Sequence, residues 1–306
     1  MTSQVTTRKR RWWQTMAGRE ALAGYISILP WLLGFLLWGI VPMLFSAYYS
    51  FTDYDILSPP QFIGLDNYVK MFTRDKLFWQ SLKVTAIYTL VTVPVGIIVG
   101  YSLALLVNQK VKGLSFWRTT FYLPAVVPVL AMAYLFSYVF AHQYGLVDGI
   151  LKSIGVTPPN WFGSPRWALP TLMLLSLWKA GGGLILYLAA LQGVPTILYD
   201  AAKVDGANAW QRFWNVTLPM TSPVILFTLI IGVINSFQVF TSAFVITDGG
   251  PVNSTLFYVL HLYRKAWQQL EMGYAAALAW ILFIIILSLT ILVMRTSARW
   301  VYYRGE

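Results

Sequence analysis

Residues 198–219 read LYDAAKVDGANAWQRFWNVTLP, a stretch that separates two long apolar runs of the chain. It contains two acidic residues, two basic residues and several aromatic ones, so it is too polar to cross a lipid bilayer. A polar segment in this position is expected to be a loop between two membrane-spanning helices. The flanking runs decide whether that interpretation holds.

The apolar runs are long enough to cross a membrane. Hydrophobic residues make up 58% of the 306 positions and charged residues only 11%, whereas about a quarter of the residues in a soluble domain are charged. About 20 apolar residues span a bilayer, and the sequence therefore predicts an all-α polytopic membrane protein with six transmembrane helices in one domain, 1–306. Five runs carry no Asp, Glu, Lys or Arg, and a sixth contains only Lys179: 21–52, 84–109, 119–147, 213–247, 272–294 and 168–191.

The basic residues indicate which side of the membrane the loops face. With an even number of spans, both termini lie on one side, which also carries residues 195–219. That side holds most of the 22 Lys and Arg residues, including the RKRRWW cluster at 8–13. Because cytoplasmic loops are enriched in basic residues, we expect both termini and the 195–219 loop to be cytoplasmic. Residues 1–20 would form the basic cytoplasmic end of a retained signal anchor in the cell (inner) membrane.

The composition argues against nucleic-acid binding and catalysis. The net charge of +11 is explained by the excess of basic residues in cytoplasmic loops and by attraction to anionic lipid, so no nucleic-acid partner is expected. The chain has no cysteine, and His142 and His261 have no carboxylate in a recognisable catalytic spacing. No GxxxxGK[ST] phosphate-binding loop occurs. We expect no catalytic residue, metal or cofactor here, so any ATP-driven step requires another polypeptide.

The first half of the 195–219 loop is predicted to form a short helix. Thr196 is a suitable N-cap, and the helix should continue to about Asp205. Gly206 then fits the left-handed position that ends a helix. Ala201 and Ala202 keep one side of this helix slim, which suits insertion into a groove of another protein.

The second half of the loop predicts another helix. Asn208 followed three residues later by Gln211 forms a capping box. The helix that starts there would bring three aromatic side chains onto one face, namely Trp210, Phe213 and Trp214. The charges of the whole segment cancel, so it is not an electrostatic anchor for lipid or DNA.

Polar residues inside the predicted spans suggest a path for a solute. Lys179 lies near the middle of the fourth span and is followed by three glycines, 181–183. In the fifth span, Asn235, Gln238 and Ser242 have the spacing i, i+3 and i+7, which places them on one face of a helix. Two alternatives remain open. The glycines and amides can serve helix packing, and Lys179 can pair with an acid of a partner chain.

The 198–219 stretch resembles the EAA loop of permease subunits of binding-protein-dependent ABC importers. Asp200 stands where this loop usually has Glu, and Val216 stands where it usually has Ile. The matching positions are Asp200, Ala201, Ala202, Gly206, Val216, Leu218 and Pro219.

Four other segments resemble the carbohydrate-type branch of that family, which includes the maltose and glycerol 3-phosphate permeases. Asp148, in GLVDGIL, occupies a position where Asn is common. The segments follow the expected order along nearly the whole chain: FIGLDNYVKMF (62–72), FWRTTFYLPAVVP (116–128), TDGGPVNST (247–255) and MGYAAALAWILF (272–283).

The resemblance implies a type I ABC importer permease fold and a mechanism. The first helix of the loop would seat in one of two cytoplasmic ATPase subunits. A second permease subunit, in a heterodimer, would share the translocation path, and an external solute-binding protein would deliver a sugar or sugar derivative. The residues implied in coupling are Asp200, Ala201, Ala202, Asp205, Gly206, Leu218 and Pro219.

Two other classes of function are alternatives to an ABC importer permease. A self-contained secondary transporter or channel would use Lys179 and the face of Asn235 as its own site, and it would be favoured by inverted repeats, which the sequence does not show. A membrane-embedded enzyme would need clusters of histidines and carboxylates that the sequence lacks.

Overall fold

A computed structural model describes residues 15–109 and 112–303 of the chain, and most of them are helical. In this described part of the chain, a single antiparallel pair of short strands, β1 (Thr52–Asp53) and β2 (Gln61–Phe62), joins Thr52 to Phe62. The helices are α1 (Met16–Phe35), α2 (Val41–Tyr49), α3 (Asp66–Thr73), α4 (Lys76–Val107), α5 (Leu114–Val126), α6 (Val129–Val139), α7 (Leu146–Ser153), α8 (Ala168–Trp178), α9 (Leu184–Gln192), α10 (Thr196–Val204), α11 (Ala209–Arg212), α12 (Leu218–Phe237), α13 (Thr241–Ile246), α14 (Tyr258–Tyr263) and α15 (Met272–Ser297).

Short segments of other helix types connect several of these helices. A 3₁₀ segment, Lys179–Gly183, lies between α8 and α9. Three π-helical turns occur at Leu36–Ile40, Phe213–Thr217 and Arg264–Gln268. They let long helical stretches continue through a local change in winding.

Within residues 15–109 and 112–303, five helical stretches are long and apolar enough to span a membrane, and counting the bent pair α5–α6 as one more gives six. This agrees with the predicted number and with the all-α class. The five stretches are Met16–Tyr49, Lys76–Val107, Ala168–Gln192, Ala209–Ile246 and Met272–Ser297.

The third span is not the continuous helix that the apolar run 119–147 predicts. It is broken between α5 and α6, whose axes differ by 97°. Val127 at the break has an extended backbone because the following Pro128 disfavours the helical conformation for the residue before it. The break leaves backbone carbonyl groups outside a helix, and such groups need a partner inside a membrane.

Helix α4 runs through the middle of the bundle. We call the end of the bundle that carries the 195–219 loop the loop side, and the opposite end the far side. The buried residues of α4 contribute to three successive layers, which contain, from the far side, Phe78 with Tyr258 and Leu278, Tyr88 with Leu175 and Phe257, and Tyr101 with Tyr187 and Leu191. The core of the bundle therefore forms around α4.

Helix α1 lies outside this core. Gly18 is its only buried residue, and no residue in the apolar window of Met16–Tyr49 is buried. The predicted basic segment 1–20 falls mostly outside the described residues, which begin at 15. The apolar surface of α1 is thus available to lipid or to another chain.

The glycines of the fourth span let a neighbouring helix approach closely. A side chain at Gly181 would collide with the backbone carbonyl oxygen of Phe121 in α5. At Gly100 of α4, an added Cβ would lie 2.7 Å from the carbonyl oxygen of Ala180. The 3₁₀ segment is therefore packed between α5 and α4, which fixes the wall of the cavity described below.

Candidate functional site

The first helix of the 195–219 loop, α10, begins one residue earlier than predicted. Pro195 is the N-cap and provides no side-chain hydrogen bond, while Thr196 is already the first helical residue. The expectation that Thr196 caps the helix is therefore wrong. Proline has no N–H group, and its extended backbone at φ −62°, ψ 131° is sufficient to start the helix.

The end of α10 follows the prediction. Gly206 has φ +76°, a conformation that glycine adopts without strain. Its N–H group donates to the carbonyl of Lys203 at 3.0 Å, and the N–H of Ala207 donates to the carbonyl of Ala202 at 2.9 Å. These two bonds form a Schellman motif, which satisfies the last carbonyl groups of the helix.

The capping box of the second helix is also present. The Asn208 side chain accepts from the N–H of Gln211 at 2.9 Å, and the Gln211 side chain accepts from the N–H of Asn208 at 2.8 Å. The ring centroids of the three predicted aromatic residues lie 5.4–6.0 Å apart, in the cluster Trp210, Phe213 and Trp214.

A face of α10 exposes apolar side chains. Ile197 is 72% exposed and Val204 is 88% exposed. With Ala201 they follow the spacing i, i+4 and i+7, so all three lie on one side of the helix. We call this set the apolar face of α10. The exposed charges Asp200 and Lys203 form an ion pair at 2.9 Å, so the helix also has a polar side.

Grooves flank α10 on two sides. One groove of about 700 Å³ is lined by Asp200 and Lys203 together with residues at the end of α4. The other, of about 520 Å³, is lined by Ala201, Ala202 and Asp205 of α10 and also by Pro219 and Tyr302. The predicted coupling residues within α10, namely Asp200, Ala201 and Ala202, therefore fall on both sides of this helix.

Leu218 attaches the loop to the bundle, and Tyr199 attaches α10 to the end of the loop that leads into α12. Leu218 packs against the layer that contains Tyr101 and Tyr187. The hydroxyl of Tyr199 lies 3.0 Å from that of Thr217. The loop is thus attached at the start of α12, whereas the C-terminal end of α10 stays exposed.

A cavity of about 630 Å³ lies inside the bundle and contains three of the four predicted path residues. Lys179, Asn235 and Ser242 line it, together with residues of α4, α8 and α12. We call it the membrane cavity. Gln238 does not line it, because α12 ends at Phe237 and Gln238 is its C-cap. The prediction of one continuous face through Asn235, Gln238 and Ser242 is therefore wrong.

Lys179 connects the cavity to the broken third span. Its Nζ donates to the carbonyl of Val127 at 3.0 Å. This carbonyl lies at the break between α5 and α6, so the lysine provides a partner for a backbone group that the break leaves outside a helix. None of the ion pairs found among residues 15–109 and 112–303 involves Lys179.

Comparison with known proteins shows what kind of protein has this arrangement. Residues 93–302 match the family described as binding-protein-dependent transport system inner membrane component. The chain belongs to this family. It is a membrane permease of an ABC importer and not itself an enzyme.

Relatives of this permease match along almost the whole chain. It is 39% identical to the probable ABC transporter permease protein YesP of Bacillus subtilis, over 94% of both chains. It is 33% identical to the trehalose/maltose transport system permease protein MalF of Thermococcus litoralis, over 91% of this chain and 95% of that one. A chain of the bacterial alginate ABC transporter, solved in complex with an alginate pentasaccharide-bound periplasmic protein, superposes with a TM-score of 0.82. That match has 25% identity over 95% of this chain and 98% of that one.

On the far side of the permease, the structure brings together residues that the sequence did not connect. The Nε2 atom of His261 and the hydroxyl of Tyr274 lie 2.9 and 2.7 Å from the same carboxylate oxygen of Asp75. The other oxygen of Asp75 caps α4 through the N–H groups of Leu77 and Phe78. The pair His261 and Asp75 is separated by 186 positions, so no local pattern could reveal it.

The environment of this cluster fixes its charge state. Burial lowers the pKa of His261 below its ordinary value of 6.5, and it outweighs the opposite effect of the Asp75 carboxylate. Burial raises the pKa of Asp75, but the hydrogen bond from Tyr274 and the nearby His261 outweigh it, so this pKa lies below its ordinary value. Both pKa shifts agree with a neutral His261 that donates from Nε2 to a charged Asp75.

Asp148, the residue of the GLVDGIL segment, is also part of a buried cluster. Its side chain accepts from the N–H of Gln143 and from Nε1 of Trp161, each at 2.7 Å, and His142 lies 3.3 Å away. Burial raises the pKa of Asp148, but these donors outweigh it and hold the pKa below its ordinary value. A carboxylate accepts from several donors at once, which explains how an acid is accommodated here.

Proposed function

We propose that this permease is one of two membrane subunits of an ATP-driven sugar importer, with residues 195–219 as the loop that couples it to an ATPase. The observation that carries the proposal is the apolar face of α10. Ile197, Ala201 and Val204 would otherwise be exposed to water, and an apolar helix face with this spacing is suited to a groove in another protein. In importers of this family, the resemblance implies that the groove belongs to a cytoplasmic ATPase.

The residues around α10 have distinct roles in this proposal. Asp200 lies on the polar side and is available to a basic group of the ATPase, while Ala201 and Ala202 allow close approach. Asp205 and Gly206 end the helix so that it projects from the bundle. Leu218 and Pro219 transmit its movement to α12, because Leu218 is packed into the layer at the end of α4.

The transported solute is proposed to be a sugar or sugar derivative. The relatives named above include a trehalose/maltose permease and an alginate transporter, so both neutral and acidic saccharides occur among them. The membrane cavity contains hydroxyl and amide groups of Ser176, Asn235 and Ser242 beside Tyr88 and Phe227. Such a mixture of hydrogen-bonding groups and aromatic rings is suited to a polyhydroxylated ligand.

The remaining partners follow from the same proposal. Both termini and the 195–219 loop are placed in the cytoplasm, where two ATPase subunits bind. An external solute-binding protein docks on the far side. A second permease, in a heterodimer, shares the path, and the unburied apolar surface of α1 is available to it and to lipid.

The proposal is tested by purification of the permease from its native membrane, followed by reconstitution into liposomes. We expect an ATPase, a second permease and a solute-binding protein to copurify, and uptake of sugar to require ATP. In the variant Val204→Asp, a charge on the apolar face should release the ATPase while the second permease stays bound.

Val252→Asp is the matched control, because Val252 is 85% exposed and lies in the segment between α13 and α14, away from the loop. It should leave the recovery of the ATPase unchanged. Uptake by the permease alone without ATP would establish a secondary transporter instead. Full retention of the ATPase by the Val204→Asp variant would contradict the assignment of α10 as the coupling helix.

A further inference from the structure

The charge of the membrane cavity narrows the class of solute. Among the described residues that line it, Lys179 is the single charged side chain, and there is no carboxylate. An isolated cation inside a membrane protein is costly unless an anion or several hydrogen-bond acceptors offset it. The cavity is therefore electropositive and lacks its own counter-ion.

The hydrogen bond of Lys179 does not use up its capacity. A lysine ammonium group has three N–H donors, and the structure shows one protein acceptor, the Val127 carbonyl at 3.0 Å. This bond holds the ammonium in place and leaves N–H donors for a ligand.

Other polar groups near Lys179 are free to bind the rest of a sugar. Within the described part of the chain, the side chains of Asn235 and Ser242 both line the cavity and have no hydrogen-bond partner. Tyr88 and Phe227 supply ring surfaces at the same cavity. A volume of about 630 Å³ lies in the range of pockets that enclose ligands of drug size, about 300–1,000 Å³.

We propose that the permease carries acidic saccharides, in which a carboxylate of the sugar pairs with Lys179 during translocation. This inference rests on the proposed function as a sugar permease and adds the charge of the solute. A carboxylate would accept the free N–H donors of Lys179 and provide the missing counter-ion, and charge-assisted bonds of this type are stronger than neutral ones. The hydroxyl groups of the sugar would then bind Asn235 and Ser242.

The test uses the complete purified complex of permease subunits and ATPases, without ATP, and two probes of similar size. One probe is a trisaccharide of galacturonate and the other is the neutral trisaccharide maltotriose. Equilibrium dialysis measures the binding of each. We expect the acidic probe to bind more tightly and its binding to weaken as the salt concentration rises.

Two variants of Lys179 separate charge recognition from a purely structural role. Lys179→Gln keeps an N–H donor for Val127 but removes the charge, and it should weaken binding of the acidic probe by about tenfold to a hundredfold. Its binding of the neutral probe should not change. Lys179→Arg keeps the charge and should retain preference for the acidic probe.

Several outcomes would overturn this inference. They are equal binding of both probes by the natural complex, tighter binding of the neutral probe, absence of binding by the acidic probe, or loss of both probes in equal measure in Lys179→Gln. The last result would assign Lys179 to the support of the Val127 break alone. ATP-dependent uptake of any sugar by the same complex is measured separately, so failure of the charge assignment leaves the proposed function standing.

Discussion

Gly181 in the fourth span and Gly206 in the 195–219 loop have to be glycine for opposite reasons. At Gly181 the backbone has no unusual conformation, but a side chain would collide with the carbonyl of Phe121. At Gly206 nothing lies within 4 Å of an added Cβ, but φ is +76°. One glycine is required by a neighbouring helix, and the other is required by the path of its own backbone.

The two regions around these glycines differ in the same way. The helix ends of the loop are shaped by hydrogen bonds between residues at most five positions apart, such as Ala207 to Ala202 and Asn208 to Gln211, and one longer contact, Tyr199 with Thr217, joins its two halves. The membrane cavity depends on contacts between distant parts of the chain, such as Lys179 with Val127, 52 positions apart. The loop can therefore keep its shape while it moves against a partner, whereas the cavity changes only if whole helices move.

The largest effect is expected from a substitution at Gly181. In the variant Gly181→Ala, the new methyl group overlaps the backbone of α5, which cannot move without shifting the break in the third span. Overpacking of this kind destabilises a protein by about 1–3 kcal/mol. We expect a lower melting temperature of the purified complex and loss of uptake.

The neighbouring glycine provides a matched control for this prediction. An added Cβ at Gly182 would lie 3.4 Å from the Cβ of Ala125, which is close to an ordinary contact. Gly182→Ala should therefore melt near the natural protein. Equal melting temperatures for the two variants would show that the tight contact at Gly181 is not required.

Gly206→Val tests the other kind of requirement. A β-branched residue in the left-handed conformation is strained by about 1–2 kcal/mol, so we expect the end of α10 to unwind and ATP-dependent uptake to be lost. The melting temperature of the complex should change little, because the position is open to solvent. Gly206→Asn should retain uptake, since asparagine tolerates this conformation. Full uptake by Gly206→Val would contradict the assignment of Gly206 as the residue that requires this turn conformation.

A smaller effect is expected when the capping box is removed. Asn208→Ala deletes the side-chain acceptor for the N–H of Gln211, and loss of such a cap typically destabilises a helix by about 1 kcal/mol. Hydrogen exchange should show faster exchange at residues 209–212 and no change in the membrane spans. Asn208→Asp keeps an acceptor and should exchange slowly, and a slow Asn208→Ala variant would contradict a local role for the cap.

The far-side cluster of Asp75, His261 and Tyr274 is a long-range contact whose protonation depends on pH. It can therefore be tested by a change of pH, without a substitution in the core. The folded pKa of His261 lies below 6.5, so protonation is harder in the folded state than in the unfolded one. Stability is therefore highest above pH 6.5 and falls as the pH drops below this value. We expect the hydrogen-exchange protection factors at 258–263, which are corrected for the intrinsic pH dependence of exchange, to fall as the pH drops from 7.5 to 5.5.

A variant without the His261 imidazole checks the source of this pH dependence. In His261→Gln the side chain can still donate to Asp75, so the protection factors at 258–263 should become less sensitive to pH over the same interval. An equally steep dependence in His261→Gln would assign the effect to a group other than His261.

The sequence predicted the parts of the permease that local chemistry determines. Gly206 and the box of Asn208 and Gln211 were confirmed because proline, glycine and capping side chains act on residues within one turn. Apolar runs likewise predicted the number of spans. The break at Val127 was missed, although Pro128 follows it, because proline inside an apolar run is compatible with either a kinked helix or a broken one.

The parts that the sequence missed depend on which segments meet in space. No pattern near Asp75 indicates that His261 and Tyr274 will reach it from two later segments. The face of Asn235 was predicted from helical spacing, which failed where α12 ended at Phe237. Thr196 was assigned as a cap from residue type alone, but Pro195 took that position because its φ is already restricted.

The π-helical turn Phe213–Thr217 restricts how the length of this chain can vary during evolution. In this turn the N–H of Leu218 donates to the carbonyl of Phe213, so the helix holds one residue more than regular α-helical winding would. Deletion of a single residue here would turn α10 and α11 by about 100° around the axis of α12, since each α-helical residue advances by that angle. The apolar face of α10 would then point away from the proposed ATPase groove, although every residue of that face was still present.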